Sequence, residues 1–272
     1  MTDWLTYGFL QRALLAGLVA SCLCGVLGFF VVLRRLSFIG VGISHSALGG
    51  VALGVLLGIE PVVAAAVFAA LVAWSIGWLG TAARLHEDTA IGVMFSAAMA
   101  LGVILLSFST QYQSDLLSYL FGNILAVSRS DVWLLVGMAA VVLAGTALVF
   151  KELLFAAFDE EVARASGLPV QLLDYFLLTA LALTVVVAMR VVGLVLVEAL
   201  LVIPAAAAYQ LARGYKGMLA WAVALASGGT VLGLVSSYQW NTPAGATIVV
   251  VQTVLFLLAL ASRRVRDTHA RR

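Results

Sequence analysis

The chain has 272 residues, 64% of them hydrophobic and only 10% charged, with a net charge of +2 and a mean hydropathy of +1.13. Soluble domains carry about 25% charged and roughly 45–50% apolar residues. A water-soluble fold of this size could not hide so much apolar surface, so lipid must solvate most of it and nothing points to nucleic acid.

The first ten residues, Met1 to Leu10, lack the basic n-region and small-residue cleavage site of a signal peptide, so the first apolar segment is expected to stay as a span. Cys22 and Cys24 lie in that segment. An i, i+2 pair on a helix points to different faces and suits neither a disulfide nor a shared metal site.

A helix needs about 20 mostly apolar residues to cross the hydrocarbon core. Candidate spans are Ala13–Leu33, Phe38–Leu57, Val62–Leu79, Ala90–Phe108, Val132–Phe150, Leu172–Ala188, Val191–Leu211, Met218–Ser236 and Ala244–Ala261. The tight joint at Met189–Gly193 leaves Leu172–Leu211 barely long enough for two crossings, so eight spans with one re-entrant segment is the rival to nine. The expected fold class is an all-α integral membrane protein, one transmembrane domain over residues 1–272.

Charge placement orients the layout. With the Arg34–Arg35 loop inside, alternation also puts Arg84, Lys151, Arg164, Arg213, Lys216, Arg263, Arg264, Arg266, Arg271 and Arg272 inside, twelve of the fifteen Lys and Arg. Only Arg12, Arg129 and Arg190 fall outside. Such an orientation suits the bacterial cytoplasmic membrane.

Two connections exceed a turn. The outer one, Ser109–Asp131, contains Leu116–Phe121, too short to span and amphipathic enough to lie at the interface. The inner one, Lys151–Gln171, offers Asp159 as a cap, Glu160 and Glu161 in a first turn, and Gly167 with Pro169 as a stop. It reads equally as an ordinary capped loop helix or as a lever, near 156–169, that docks on a cytoplasmic partner.

No G-x-x-x-x-G-K-[ST] phosphate loop occurs, nor HExxH, C-x-x-C or G-x-S-x-G. No catalytic site is expected, which leaves transport, channel, receptor or scaffold roles.

Ionisable residues at membrane depth are costly and are functional candidates by default. Glu198 sits in the apolar run Val191–Pro204, and His45 in the small-residue run Gly40–Gly50. Imidazole and carboxylate suit zinc, manganese or iron(II). Against this stand a protonated acid bonded to a neighbouring helix and a histidine bonded to a backbone carbonyl. Small residues here allow close helix approach and could also expose backbone to an ion. Pro204 frees carbonyls within a span, and Tyr238–Gly245 suits an interface or an entrance. His86 and His269 read as solvated.

Several segments, in collinear order, resemble the metal-ion permease family of ABC transporters, the zinc-uptake (ZnuB-like) and manganese-uptake permeases. They are Arg34–Gly40, Ser44–Gly54, Glu87–Gly92, Ser118–Leu125, Val192–Ala206 and Thr242–Gly245. The resemblance implies a vitamin-B12-importer-like (type II) permease, paired with a second permease chain, cytoplasmic ABC ATPase subunits and an extracytoplasmic metal-binding protein. It implies no permanently bound cofactor, only a transported divalent metal, with zinc put first. It also favours the lever reading, with Asp159, Glu160, Ala163 and Gly167 coupling to the ATPase. The expected metal residues are His45 and Glu198, and the expected path residues are Ser44, Ser46 and Asn241.

The match is imperfect. The family carries an acid four residues before the histidine, where this chain has Val41; Glu198 stands where the family has a small or hydroxylated residue, and Asn241 where Asp is common. Either the carboxylate moved from the second span to the seventh or the cargo differs. A permease for a metal chelate or organic cofactor, and an ATP-independent transporter with Glu198 as a proton relay, remain the competing readings.

Overall fold

The computed structural model describes residues 8–83, 86–108 and 127–270. The described residues form helices only: α1 (Gly8–Leu33), α2 (Ile39–Leu57), α3 (Pro61–Ala82), α4 (Glu87–Ser107), α5 (Arg129–Leu148), α6 (Phe150–Phe158), α7 (Glu160–Ala165), α8 (Val170–Val192), α9 (Leu194–Leu211), α10 (Tyr215–Trp240) and α11 (Ala244–Ala270). Nine of them are long and apolar enough to cross a membrane, which favours nine spans over eight. The amphipathic segment Leu116–Phe121 and the whole of Ser118–Leu125 lie outside the described residues.

The tight stretch resolves simply. Gly193, at φ +89°, is the single residue between α8 and α9, and the two helices take 23 and 18 residues. Only a residue without a Cβ adopts that backbone at low cost. Pro204 sits inside α9 without ending it, buried among neighbours.

Burial separates centre from periphery. In the spans of α1, α2 and α8, 67–72% of the residues are buried, against 22–28% in α3, α4, α5 and α11. The latter carry exposed Val67, Leu71, Trp78, Trp133, Val141 and Leu258, a surface suited to lipid. Lipid tails are as apolar as leucine, so helices associate here through close packing of small residues. A Cβ on Gly50 would stand 2.6 Å from the Ala65 Cα, which seats α2 on α3. Gly49 and Gly102 touch backbone to backbone between α2 and α4. A Cβ on Gly28 of α1 would strike the Leu201 carbonyl oxygen of α9. Ser21 and Thr230 add a buried hydroxyl pair at 2.6 Å between α1 and α10.

The connection Lys151–Gln171 folds as its sequence suggests. The Asp159 carboxylate accepts from the Val162 N–H at 3.0 Å and caps α7, and Gly167 closes it at φ +85°. The Ser128 hydroxyl and the Asp131 carboxylate form a capping box at the start of α5.

Gly28→Val is expected to remove folded protein from detergent extracts, because overpacking at a backbone contact costs about 1–3 kcal/mol or more. Gly137→Ala in α5, where a Cβ meets nothing within 4 Å, is expected to raise Tm slightly, the gain being about 0.4–1 kcal/mol. Thermal unfolding of the purified variants checks both.

Candidate functional site

His45 is the seventh residue of α2 and Glu198 the fifth of α9, 153 residues apart in sequence and in contact in space. The Glu198 Oε1 lies 3.3 Å from the His45 Nδ1. The Ser44 hydroxyl donates to the same carboxylate oxygen. The Val41 carbonyl oxygen stands 3.1 Å from His45 Nδ1, and 3.1 Å from the Ser44 hydroxyl. Gly40 lies at the same contact: a Cβ there would be 3.4 Å from the Leu201 side chain and 4.0 Å from the Glu198 Cα, an ordinary packing distance. On the other side of the ring stands Phe95 of α4, edge to face at 5.5 Å between centroids.

This arrangement orients the imidazole. With Nδ1 engaged by the Val41 carbonyl and the Glu198 carboxylate, the proton belongs on Nδ1 and Nε2 keeps a lone pair for a cation. Glu198 Oε1 takes both of the carboxylate's contacts, and Oε2 remains as a second donor atom. The two side chains are 24% and 19% exposed, on one face at membrane depth. Among the described residues no group of three His, Cys, Asp or Glu side chains comes together. One chain therefore offers an imidazole, a carboxylate and a hydroxyl, a borderline-to-hard donor set of low denticity.

The other sequence candidates take separate places. Ser46 is fully buried and its hydroxyl donates to the Gly42 and Ile43 carbonyls of its own helix. Asn241 is exposed in the outer turn after α10, a left-handed C-cap at φ +53°. On α7, Glu160 pairs with Arg164 at 2.6 Å, while Ala163 is wholly buried. Around them Phe158 and Val162 are 65% and 49% exposed.

Comparison with known proteins places this architecture. The family model described as the ABC 3 transport family matches residues 6–263. The chain belongs to that family. Members similar to it include the manganese transport system membrane protein MntC of Listeria innocua, 41% identical over 93% of this chain and 90% of that one. The high-affinity zinc uptake system membrane protein ZnuB of Haemophilus influenzae is 33% identical, over 94% and 98%. PsaBC from Streptococcus pneumoniae, solved in complex with Fab, superposes with a TM-score of 0.83 at 38% identity, covering 94% of this chain and 92% of that one. An inward-facing putative metal-chelate type ABC transporter shares the fold alone, with a TM-score of 0.72 at 14% identity over 93% and 86%. The all-α importer fold expected from the sequence is the one observed, in a multi-pass protein of the bacterial inner membrane.

Two ionic groups escaped the sequence reading. Arg34, after α1, pairs with Asp174 in the first turns of α8, with side chains 12% and 29% exposed. At the other end of α8 Arg190 joins Asp131 at 3.1 Å and Glu60 at 3.8 Å, and so ties α8 to the starts of α3 and α5. Asp174 carried a usable signal, since it is a carboxylate within a span predicted as Leu172–Ala188.

Asp174→Asn leaves the guanidinium without its charge partner. A buried charged group stripped of its bond costs about 1–3 kcal/mol, read as a lower Tm in detergent. The double change Arg34→Met with Asp174→Leu is expected to recover part of that loss, because a buried ion pair replaced by apolar groups is close to neutral.

Proposed function

We propose that this chain is the membrane-spanning permease subunit of an ABC importer for a divalent transition metal, and that the ion passes the His45–Glu198 pair. The observation that carries this is the mostly buried imidazole–carboxylate–hydroxyl cluster, with His45 and Glu198 24% and 19% exposed, within the apolar spans. In a family whose members include proteins named for manganese and zinc transport, such a cluster is the natural cation stop.

The carboxylate absent at Val41 is supplied from α9 by Glu198, on the same histidine. His45 binds the ion through Nε2. Glu198 holds the ring from Nδ1 and contributes negative charge, which a nearby dication keeps ionised. Ligands this few hold the ion weakly enough to release it. Lipid against this face would leave both groups uncompensated. A second permease chain covers it and brings its own pair.

Energy enters from the cytoplasm. The chain contains no P-loop, so separate ATPase subunits supply ATP hydrolysis. They dock on α7 and its flanks, where exposed Phe158 and Val162 form the contact, Asp159, Glu160 and Gly167 set the shape, and buried Ala163 ties α7 to the core. An extracytoplasmic metal-binding protein delivers the ion.

Uptake into proteoliposomes holding permease, ATPase and binding protein tests the reading, with manganese, zinc and iron(II) as separate cargoes. Glu198→Gln and His45→Gln are each expected to lower uptake of the preferred metal by about 10–100-fold, with ATPase assembly intact. Unchanged uptake in both would remove the pair from the path. Preference for an intact chelate over the free ion would favour a chelate permease instead. Val162→Asp is expected to abolish ATPase co-purification while leaving Tm unchanged.

A further inference from the structure

The run 199–266 holds no Asp or Glu, and its bases Arg213, Lys216, Arg263, Arg264 and Arg266 are widely separated in sequence. The fold gathers them at one end of the bundle. Arg213 lies in the connection between α9 and α10, and Lys216 is the second residue of α10. The short turn after α10 sends α11 back alongside it, which brings Arg263 and Arg264 to the same level. There the Arg263 guanidinium donates to the Gln210 side chain at 2.6 Å and fixes α11 against the last turn of α9.

Arg213, Lys216, Arg263 and Arg264 are all exposed. Arg213 and Lys216 enter no ion pair among the described residues. Against these bases the sequence sets a single acid at this end, Asp267. The surface beneath them indicates what neutralises the rest. Only 22% of the α11 span is buried, and Leu257 and Leu258 are 54% and 61% exposed. Leu258 precedes Arg263 by five residues, roughly 8 Å along the helix. On α10, Tyr215 and Trp221 are 40% and 47% exposed, and the Lys216 ammonium stands 6.0 Å from the centre of the Tyr215 ring. An apolar outer wall topped by aromatic rings and then by exposed bases follows the passage from hydrocarbon into headgroups. The segment α7 packs on α6 and α8, so this surface and the proposed ATPase contact rest on different helices.

We propose that the turn between α9 and α10, together with the end of α11, binds the headgroups of anionic phospholipid. Phosphate oxygens accept from the Arg213 guanidinium and the Lys216 ammonium, and Arg263 and Arg264 add positive potential. The acyl chains lie against Leu257, Leu258 and Trp221. A zwitterionic headgroup brings an ammonium that the bases repel, so the surface selects lipids of net negative charge. The binding involves neither the cargo nor the His45–Glu198 pair.

The full chain in detergent, titrated with phosphatidylglycerol or with phosphatidylcholine of the same acyl chains, tests this through the lipid concentration that half-saturates the rise in Tm. Phosphatidylglycerol is expected to half-saturate at a concentration on the order of 30-fold lower, since each of the two bases contributes about fivefold near an anionic surface. Raising the salt is expected to shrink the difference. Arg213→Gln with Lys216→Gln is expected to erase it while Tm in phosphatidylcholine stays unchanged, which separates lost binding from lost folding. Arg213→Lys with Lys216→Arg is expected to retain it, as is Arg129→Gln at the opposite end of the bundle. A preference that survives the double neutralisation, with or without loss of ATPase co-purification, would overturn the proposal. So would stabilisation by soluble glycerol phosphate equal to that by phosphatidylglycerol, which would make the ligand a free anion.

Discussion

A carboxylate at membrane depth must be compensated, and the arrangement of α2 and α9 follows from that requirement. An ionised acid in hydrocarbon costs at least several kcal/mol unless charge or donors meet it. Glu198 finds the Ser44 hydroxyl and the His45 ring within contact distance. Neither helix could do this alone, because the residues flanking Glu198 on α9 are apolar and the residues flanking His45 on α2 are small. Gly40 packs beside Leu201 and the Glu198 backbone at the point where the three side chains meet. The small-residue run therefore serves packing and the polar cluster together.

The rest of the fold is arranged around this pair by the same logic of close approach. The buried helices α1 and α2 carry glycines that bring backbones together, α8 is buried without any, and the peripheral helices present bulk to lipid. Apart from the His45–Glu198 pair, the ion pairs stand at the two ends of α8, with Arg34–Asp174 at one and Arg190–Asp131 at the other. Those ties join the ends of α8 to neighbouring helices, so a displacement of the adjoining cytoplasmic segment α7 has a short physical route to the turn that begins α2. The route is spatial; coupling along it rests on the proposed docking of the ATPase.

Much of this was legible in the sequence. The apolar spans come from hydropathy, a signal additive over many residues, whereas the choice of nine over eight needed the joint at Gly193. The cap at Asp159 and the stop at Gly167 are local, so short-range rules find them. The isolation of Glu198 and His45 in apolar or small surroundings was equally visible, and it marked both as candidates. Their contact was not visible, because 153 residues separate them and only packing decides which face of α9 meets α2. For the same reason Ser44 and Ser46 look alike in the sequence, yet Ser44 donates to Glu198 and Ser46 bonds only its own helix. Asp174 was passed over because a single acid near a helix end reads as interfacial until its arginine partner is known. Phe158 and Val162 were hidden by their polar neighbours, and only exposure singles them out.

The central claim is that His45 presents Nε2 to a passing dication while Glu198 holds the ring. Electron spin-echo spectroscopy of Mn2+ bound to the reconstituted permease tests it directly. The account predicts nitrogen modulation from a coordinated imidazole, lost in His45→Gln and weakened in Glu198→Gln. A bound Mn2+ signal with no nitrogen modulation, or one unchanged in His45→Gln, would contradict it.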